Sequence, residues 1–220
     1  MEATFPHPAM VQSCVPRLEG MRLDPFTNIQ TQTFGRPTLN GFWRVDLTLV
    51  ALTEHQRLSL SAFHTAMTAG NATCVIPLCV HHRPLDNRGR RMGGRHVVPE
   101  WTVGHTGFAA EPFGGFTLRS AVSHRDSFID VNKPALSDIM PGHHITLDDG
   151  LYHVVGVVPL DDRDDRVRVS VMPNIRGNHA AGKVVVVDQL RLRCMMESGD
   201  QIGFGTEAFK VASFSLIEAF

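Results

Sequence analysis

This sequence has neither an excess of charge of one sign nor a long apolar segment. Its 220 residues carry 21 Lys and Arg against 22 Asp and Glu, so the net charge of -1 provides no overall field that would attract DNA or anionic lipid. Uninterrupted apolar runs, such as residues 184–187, are far shorter than the ~18 residues that a membrane-spanning helix needs. We therefore expect a soluble protein that does not contact a membrane.

The chain also lacks a secretion signal and a disulfide framework. Residues 1–6 read MEATFP and have neither the basic stretch nor the apolar segment of a signal peptide, so we expect the protein to stay in the compartment where it is made. The four cysteines have no C-x-x-C spacing, and only Cys74 and Cys79 are close in sequence. Reduced, buried thiols are the expected state.

Sequence signatures of catalysis are absent as well. H-E-x-x-H, the G-x-S-x-G elbow, the P-loop and a G-x-G-x-x-G after a strand do not occur. The acidic run at residues 161–165 lacks the glycine and the terminal Glu of a calcium loop, which favours a solvated turn. We predict no catalytic residue and no cofactor, and we expect that the protein is not an enzyme.

Histidine is abundant, with 12 residues that include the pairs His81-His82 and His143-His144. Neighbours in a strand point to opposite faces, so such a pair cannot readily bind one metal ion. We therefore predict solvent-exposed loop histidines and no metal site.

A strand–helix–strand unit is predicted over residues 42–80. The segment FWRVDLTL at residues 42–49 alternates apolar and polar residues with the period of a half-buried strand. Thr53 and Gln56 form a T-x-x-Q capping box for a helix over 53–69, which Gly70 is placed to end. The apolar, β-rich segment 73–80 predicts the second strand.

The remaining patterns predict a mainly β protein of α+β type with one helix. Prolines in residues 1–20 favour an extended N-terminal arm over a helix. Strands are predicted at these positions: 116–122, 144–147, 151–158, 166–172, 184–187, 190–194 and 212–216. We expect a β-sandwich or small barrel.

A basic loop occupies residues 81–107, where arginines alternate with Pro and Gly. It is longer than the usual connection of ~4–6 residues, and such loops are commonly functional or disordered. Without interleaved aromatics, DNA contact is a weaker hypothesis than a subunit interface or a pore-facing loop. The candidate interface or lumen-facing residues are Arg83, Arg88, Arg90, Arg91 and Arg95. Downstream aromatics could belong to the core or to an interface: Trp101, Phe108, Phe113 and Phe116.

Four segments in order resemble the distal-tail or tail-tip ring proteins of long-tailed, non-contractile bacteriophages (siphophages). They are FWRVDLTL with its capped helix, VIPL (75–78) before a Pro/Arg/Gly loop, ITLDDGLYHV (145–154) after Pro141-Gly142, and VRVSVMPNIR (167–176). The resemblance covers roughly residues 22–200, and each motif is a strand with a turn rather than a diagnostic signature.

The resemblance implies a virion structural protein of the tail, made in the host cytoplasm, that self-assembles into a ring, hexameric in the family. The ring would join the tail tube protein to hub or tip proteins and could transiently contact passing DNA. The implied organisation is an N-terminal arm (1–20), a tube-like β-sandwich (21–104 with 176–220, helix 53–69) and a small β-barrel (105–175).

Two other hypotheses stay open. The chain could be another tail component, such as an adaptor or terminator with a similar small β-fold. It could instead be a carbohydrate-binding or hydrolytic β-sandwich that uses His143, His144 and Asp149, although no nucleophile and base can be paired by their spacing.

Overall fold

The computed structural model describes residues 2–6, 10–38, 41–69, 72–78, 84–85, 88, 113–160, 165–197 and 210–220. Within these residues the protein is mainly β with a single helix, and two curled antiparallel sheets carry the fold, which confirms the predicted class. The elements are β1 Met10–Glu19, β2 Arg22–Thr27, β3 Thr33–Pro37, β4 Phe42–Ala51, α1 Glu54–Ala69, β5 Thr73–Pro77, β6 Thr117–Leu118, β7 Phe128–Asn132, β8 His144–Leu147, β9 Gly150–Pro159, β10 Arg166–Met172, β11 Arg191–Met196 and β12 Lys210–Glu218.

The first sheet, called the main sheet here, has the strand order β1-β4-β12-β11-β5 and packs one face against the helix. Strand β4 shows the predicted alternation, because every second side chain from Trp43 to Ala51 is buried. The helix contributes Leu60, Phe63 and Met67 to the same core at the spacing of one helical face. The sequence pattern of residues 42–77 therefore produces the strand–helix–strand unit as predicted.

The helix begins at the predicted capping box. The Gln56 N–H donates to Thr53 Oγ1 at 3.3 Å, and the Thr53 N–H donates back to Gln56 Oε1 at 3.0 Å. The same Oε1 accepts the Leu52 N–H at 2.6 Å. These bonds satisfy backbone donors that the first helical turn leaves without intrahelical partners. Gly70, predicted to end the helix, lies outside the described residues, and the helix itself extends to Ala69.

The N-terminal segment is extended, and most of it pairs within its own chain. Residues 10–19 form β1, which pairs antiparallel with β4 from Met10 opposite Val50 to Glu19 opposite Phe42. Nearer the start, the Ala3 N–H donates to Thr73 O at 2.7 Å, and Phe5 packs on Phe63 in the main core. The segment predicted as an arm thus supplies an edge strand of the main sheet.

Strands β2 and β3 form a hairpin that sequence patterns did not predict. It pairs Arg22 with Pro37 and Thr27 with Thr33, and none of its residues whose side chains are described belongs to either hydrophobic core. Its six-residue strand spans about 20 Å, and most of its described side chains are exposed, so we call this pair of strands the projecting hairpin. The described side chains of both strands are exposed, which explains why a search for buried strands overlooked them.

The second sheet has the order β6-β7-β10-β9-β8 and encloses its own core, centred on Phe116, Tyr152 and Val169. Residues 179–187 close it: Leu118 N–H donates to Lys183 O on the β6 side, and Val186 exchanges two hydrogen bonds with Thr146 of β8. We call this closed unit the barrel. The core reaches past the predicted limit of residue 175, because Val185 and Val187 fill it.

Several predicted elements of the barrel differ in detail from the structure. Strands β8 and β10 have the predicted bounds, whereas the segment predicted at 116–122 pairs as a strand only at Thr117–Leu118. Residues 184–187 make isolated bridges instead of a strand, because they pair with two different sheet edges in turn. Strand β7 was not predicted. Phe116 is a core residue, and Phe113 packs on it at 5.8 Å between ring centroids.

Replacing Thr53 with Ala should lower the free energy of unfolding by about 1 kcal/mol, because the first helical turn loses its cap. Urea unfolding followed by circular dichroism measures the change. Thr65→Ala is the matched control, since Thr65 is a residue of the same helix whose hydroxyl bonds only to Ser61 O and Ala favours helix. Equal losses in both variants would contradict a specific role for the capping box.

Candidate functional site: an inter-sheet junction and an assembly surface

The barrel joins the main sheet through the start of β4. The Trp43 indole N–H donates to Leu151 O at 2.7 Å, and Leu151 itself is buried in the core of the main sheet although it belongs to β9. A tryptophan with a buried apolar body and a satisfied N–H fixes the angle of such a contact. We call the region where these elements meet the junction.

An ion pair with a buried carboxylate and a partly buried arginine lies beside that tryptophan. Arg176, which follows the barrel strand β10, donates to both carboxylate oxygens of Glu218 at 3.2 Å and also to Gly41 O. The Glu218 side chain is 2% exposed, and its carboxylate accepts the backbone N–H of Trp43 at 3.0 Å. One carboxylate thus connects β12, β4 and the end of the barrel.

Further polar contacts join the barrel's β8–β9 turn to β11. Asp149 accepts from Arg193 at 2.7 Å, and the Arg193 N–H donates to Asp149 O at 2.8 Å. Thr146 Oγ1 accepts the Arg191 N–H at 3.2 Å. These contacts are directional, so they hold the two sheets in one relative orientation.

A cleft of about 250 Å³ opens at the junction. Its polar lining consists of Asp148, Asp149, Tyr152, Arg176, His179, Arg193 and Glu218. Every carboxylate there has a cationic neighbour, since Asp148 pairs with Lys183 and lies 3.3 Å from His179 Nδ1. Burial raises the pKa of Tyr152 to about 12, so its phenol stays protonated while accepting the Arg176 N–H. The described polar side chains of the cleft are therefore paired charges and a protonated phenol.

Two histidines pack at the opposite end of β8. His144 and His153 lie on paired strands with ring centroids 4.8 Å apart, and His144 also packs on Trp43 at 5.8 Å. Burial, followed by the neighbouring His153 and His143, lowers the pKa of His144 to about 4. Burial also lowers the pKa of His153. His144 is thus a half-buried strand residue, which corrects the prediction of an exposed loop histidine.

The projecting hairpin and β1 form a continuous candidate assembly surface. The hairpin's tip is ordered, because Asn28 Oδ1 accepts the N–H groups of Gln30 and Gln32. Ile29 at the tip is 103% exposed and Leu23 is 53% exposed. Strand β1 pairs on one side only in the described residues, which leaves its other edge available to a second chain.

The base of the hairpin is held tightly. The Thr38 N–H donates to Met21 O at 2.8 Å, and Thr38 Oγ1 donates to Gly20 O. A Cβ on Gly41 would lie 2.8 Å from Glu19 O, so this close backbone approach requires glycine. The hairpin is therefore a fixed extension of the β1–β4 pair.

The structure tests only part of the predicted sites. Among the candidate arginines, Arg88 is exposed, whereas Arg83, Arg90, Arg91 and Arg95 lie outside the described residues, as do Trp101 and Phe108. His144 and Asp149, proposed together for a hydrolase, occupy opposite ends of β8, about 10 Å of strand apart. Across the residues with described coordinates, no group of His, Cys, Asp or Glu is arranged to hold a metal ion.

Two of the described cysteines, Cys74 and Cys194, are free thiols. Cys74 and Cys194 are buried, and Cys14 is half-buried. Burial raises the pKa of Cys74 to about 12, so its thiol is held in the unreactive, protonated form. Cys79 lies outside the described residues.

The junction residues Arg176 and Glu218 were not predicted as functional. Arg176 ends the segment VRVSVMPNIR and Glu218 stands in the mostly apolar strand β12, where a charge indicates a paired role. Their partners are distant in sequence, so the pairing itself had no local signal.

Comparison with known proteins adds no relative: no protein family model matches this chain, and no curated protein matches it. Within the described part of the chain, no helix is both long and apolar enough to cross a membrane.

Replacing Glu218 with Leu should destabilise the protein by about 1–3 kcal/mol, because the partly buried Arg176 loses its counter-charge and the Trp43 backbone N–H loses its acceptor. Urea unfolding measures the loss. Asp130→Leu is the matched control, since Asp130 pairs with the half-exposed Arg168 on the barrel surface and such pairs contribute about 0–1 kcal/mol.

The double variant Arg176→Met with Glu218→Leu should recover part of the loss, because both charges are then absent. Equal stability of the single and double variants would contradict the view that the unpaired arginine causes the loss.

Proposed function

We propose that this chain is a structural protein of a siphophage tail tip, a distal tail protein that assembles into a ring between the tail tube and the hub. The observation that carries the proposal is the ordered, projecting hairpin with exposed Leu23 and Ile29, continuous with a free sheet edge. The resemblance of residues 22–200 to tail-tip ring proteins supports the same function.

The hairpin suits a contact between copies of the chain. A ring needs a heterologous interface, in which one surface of each subunit meets a different surface of the next. A rigid projection with apolar side chains presents such a surface at low cost in conformational entropy. We therefore assign the projecting hairpin to the interface between neighbouring subunits.

Strand β1 has a smaller role than the hairpin in the proposed contact between subunits. A register shift between Val11 and Ser13 and the proline at position 16 limit the main-chain hydrogen bonds that its outer edge could form with another chain. These features protect an edge strand from uncontrolled pairing. In the proposed ring, side chains of the hairpin therefore provide most of the contact, and β1 provides its flank.

The two-unit architecture fits the proposal. The main sheet with its helix would form the ring, and the barrel would sit on it in an orientation that the junction fixes through Trp43, Arg176 and Glu218. In the proposed ring, the arginines of residues 81–95 face a neighbour or the lumen, as the sequence predicts.

One observation favours a second function. The cleft of about 250 Å³ at the junction is lined by paired charges and could bind a small polar ligand, as the carbohydrate-binding alternative requires. Without a candidate nucleophile in that cleft, hydrolysis is the weaker form of this alternative.

Light scattering and negative-stain images of the purified protein test the ring. We expect a closed assembly with a mass several times 24.3 kDa, near six times if the hexamer of the family applies. Leu23→Glu with Ile29→Glu should reduce it to a folded monomer, because charges placed on the contact must be desolvated. Leu136→Glu, at an exposed leucine of the barrel, is the matched control and should still assemble.

A monomeric wild-type chain should be tested again with the tail tube protein before the ring is rejected. Persistent monomers in both samples, or unchanged assembly of the hairpin variant, would contradict the proposal.

Charge reversal in the basic loop tests, separately from the hairpin, whether this loop contacts a neighbouring subunit or passing DNA. Arg90→Glu with Arg91→Glu should lower the yield of infectious particles, because the reversed charges would repel a neighbour's acidic groups or passing DNA. A plaque assay with complementing wild-type protein as the control measures the effect, and normal yields would show that the loop faces neither.

A further inference from the structure

We propose that His144 and His153 make the junction between the barrel and the main sheet an acid-sensitive switch, in which protonation releases Trp43 from the barrel while both cores stay folded. The proposal does not depend on the ring or on any partner. It rests on how these three rings are packed.

The packing leaves no acceptor for a second proton on His144. Its Nδ1 is buried and has no hydrogen-bond partner among the described residues. A neutral imidazole can leave one nitrogen as a lone pair, whereas an imidazolium carries an N–H on both nitrogens. Protonation would therefore place a charged, unsatisfied donor against Trp43.

The surroundings of His144 provide no compensating charge in the described residues. The preceding His143 and the paired His153 are the titratable groups that act on it, and both oppose its protonation. Trp43 of β4 packs on the ring and does not titrate. Glu218 of β12 accepts the Trp43 backbone N–H, and Arg176 pairs with the same carboxylate.

The direction of the effect follows from linkage. Once released, His144 would have the ordinary histidine pKa of about 6.5, whereas in the closed junction its pKa is about 4. Acid therefore favours the released state, beginning below pH about 6.5 and reaching its full effect below pH about 4. One such histidine shifts the equilibrium on the order of 100-fold, and His153 adds to the shift in the same direction.

Release has a defined structural consequence. Trp43 holds the barrel through its indole N–H on Leu151 O and through its contact with His144. Losing both contacts leaves the other polar bonds of the junction, Arg176 with Glu218 and Asp149 with Arg193. The barrel would then loosen against the start of β4 while these bonds keep it attached to the main sheet.

Tryptophan fluorescence tests the switch directly. The chain has two tryptophans, so Trp101→Phe leaves Trp43 as the reporter. We expect its emission maximum to move to longer wavelength between pH 6.5 and 4 while far-UV circular dichroism stays constant. In the same background, His144→Phe keeps an aromatic ring that cannot be protonated and should move this transition at least one pH unit lower. His55→Gln, at an exposed histidine of α1, is the control and should leave it unchanged.

Three results would overturn the switch. The emission shift could be absent above pH 4, or it could have the same midpoint in the His144→Phe variant. It could also coincide with loss of far-UV signal in every variant, which would indicate unfolding of the cores. If His144→Phe does not fold, nuclear magnetic resonance titration of the wild-type protein decides the matter, because a His144 pKa at or above 6.5 excludes the switch.

Discussion

The relative position of the two sheets depends on one buried carboxylate. Glu218 accepts hydrogen bonds from Arg176 and from the Trp43 backbone, so it connects the end of the barrel with two central strands of the main sheet. Hydrophobic contact alone is non-directional and would tolerate several packing angles. The buried pair costs desolvation energy, but its geometry selects one angle. We therefore interpret it as a device for specificity, with stability supplied by the two hydrophobic cores.

The edges of the barrel sheet are paired, whereas an edge of the main sheet is open in the described residues. This difference favours the main sheet as the place where another chain could bind. Residues 179–187 pair with both edges of the barrel sheet, which leaves that unit closed. The main sheet keeps β1 as an open edge in the described chain, and the projecting hairpin continues directly from it. A self-assembling protein gains from this division, because one unit is protected from strand pairing while the other carries the contact surface.

Local patterns predicted the parts of the fold in which one face is buried against the chain's own core. Strand β4, the capped helix and β10 alternate or repeat at the period of their structure, so residues 42–69 and 166–172 were identified from the sequence. The described side chains of the projecting hairpin's strands are exposed, so these strands show no such period of burial. The closing segment 179–187 is irregular because it pairs with two edges in turn.

The contacts of the junction could not be predicted from the sequence, for a different reason. Trp43 and Glu218 are 175 residues apart, and Trp43 and Leu151 are separated by 108. Alternation predicted that Trp43 is buried, but it does not identify the acceptor of its indole N–H. His144 and His153 fall within predicted strand segments, but His144 was predicted to be an exposed loop histidine, because the register that brings the two rings together depends on the length of the β8–β9 turn.

The start of β4 links the assembly surface to the junction. Within residues 38–43, Thr38 bonds to the base of the projecting hairpin, Gly41 O accepts from Arg176, and Trp43 contacts the barrel. In the proposed ring, a neighbour docked on the hairpin would therefore also influence where the barrel lies, because Thr38, Gly41 and Trp43 are close in sequence. If acid releases Trp43, the barrel gains freedom while the hairpin keeps its place, since the hairpin's own bonds do not involve a histidine. The proposed ring could then stay assembled while the barrels on it change position.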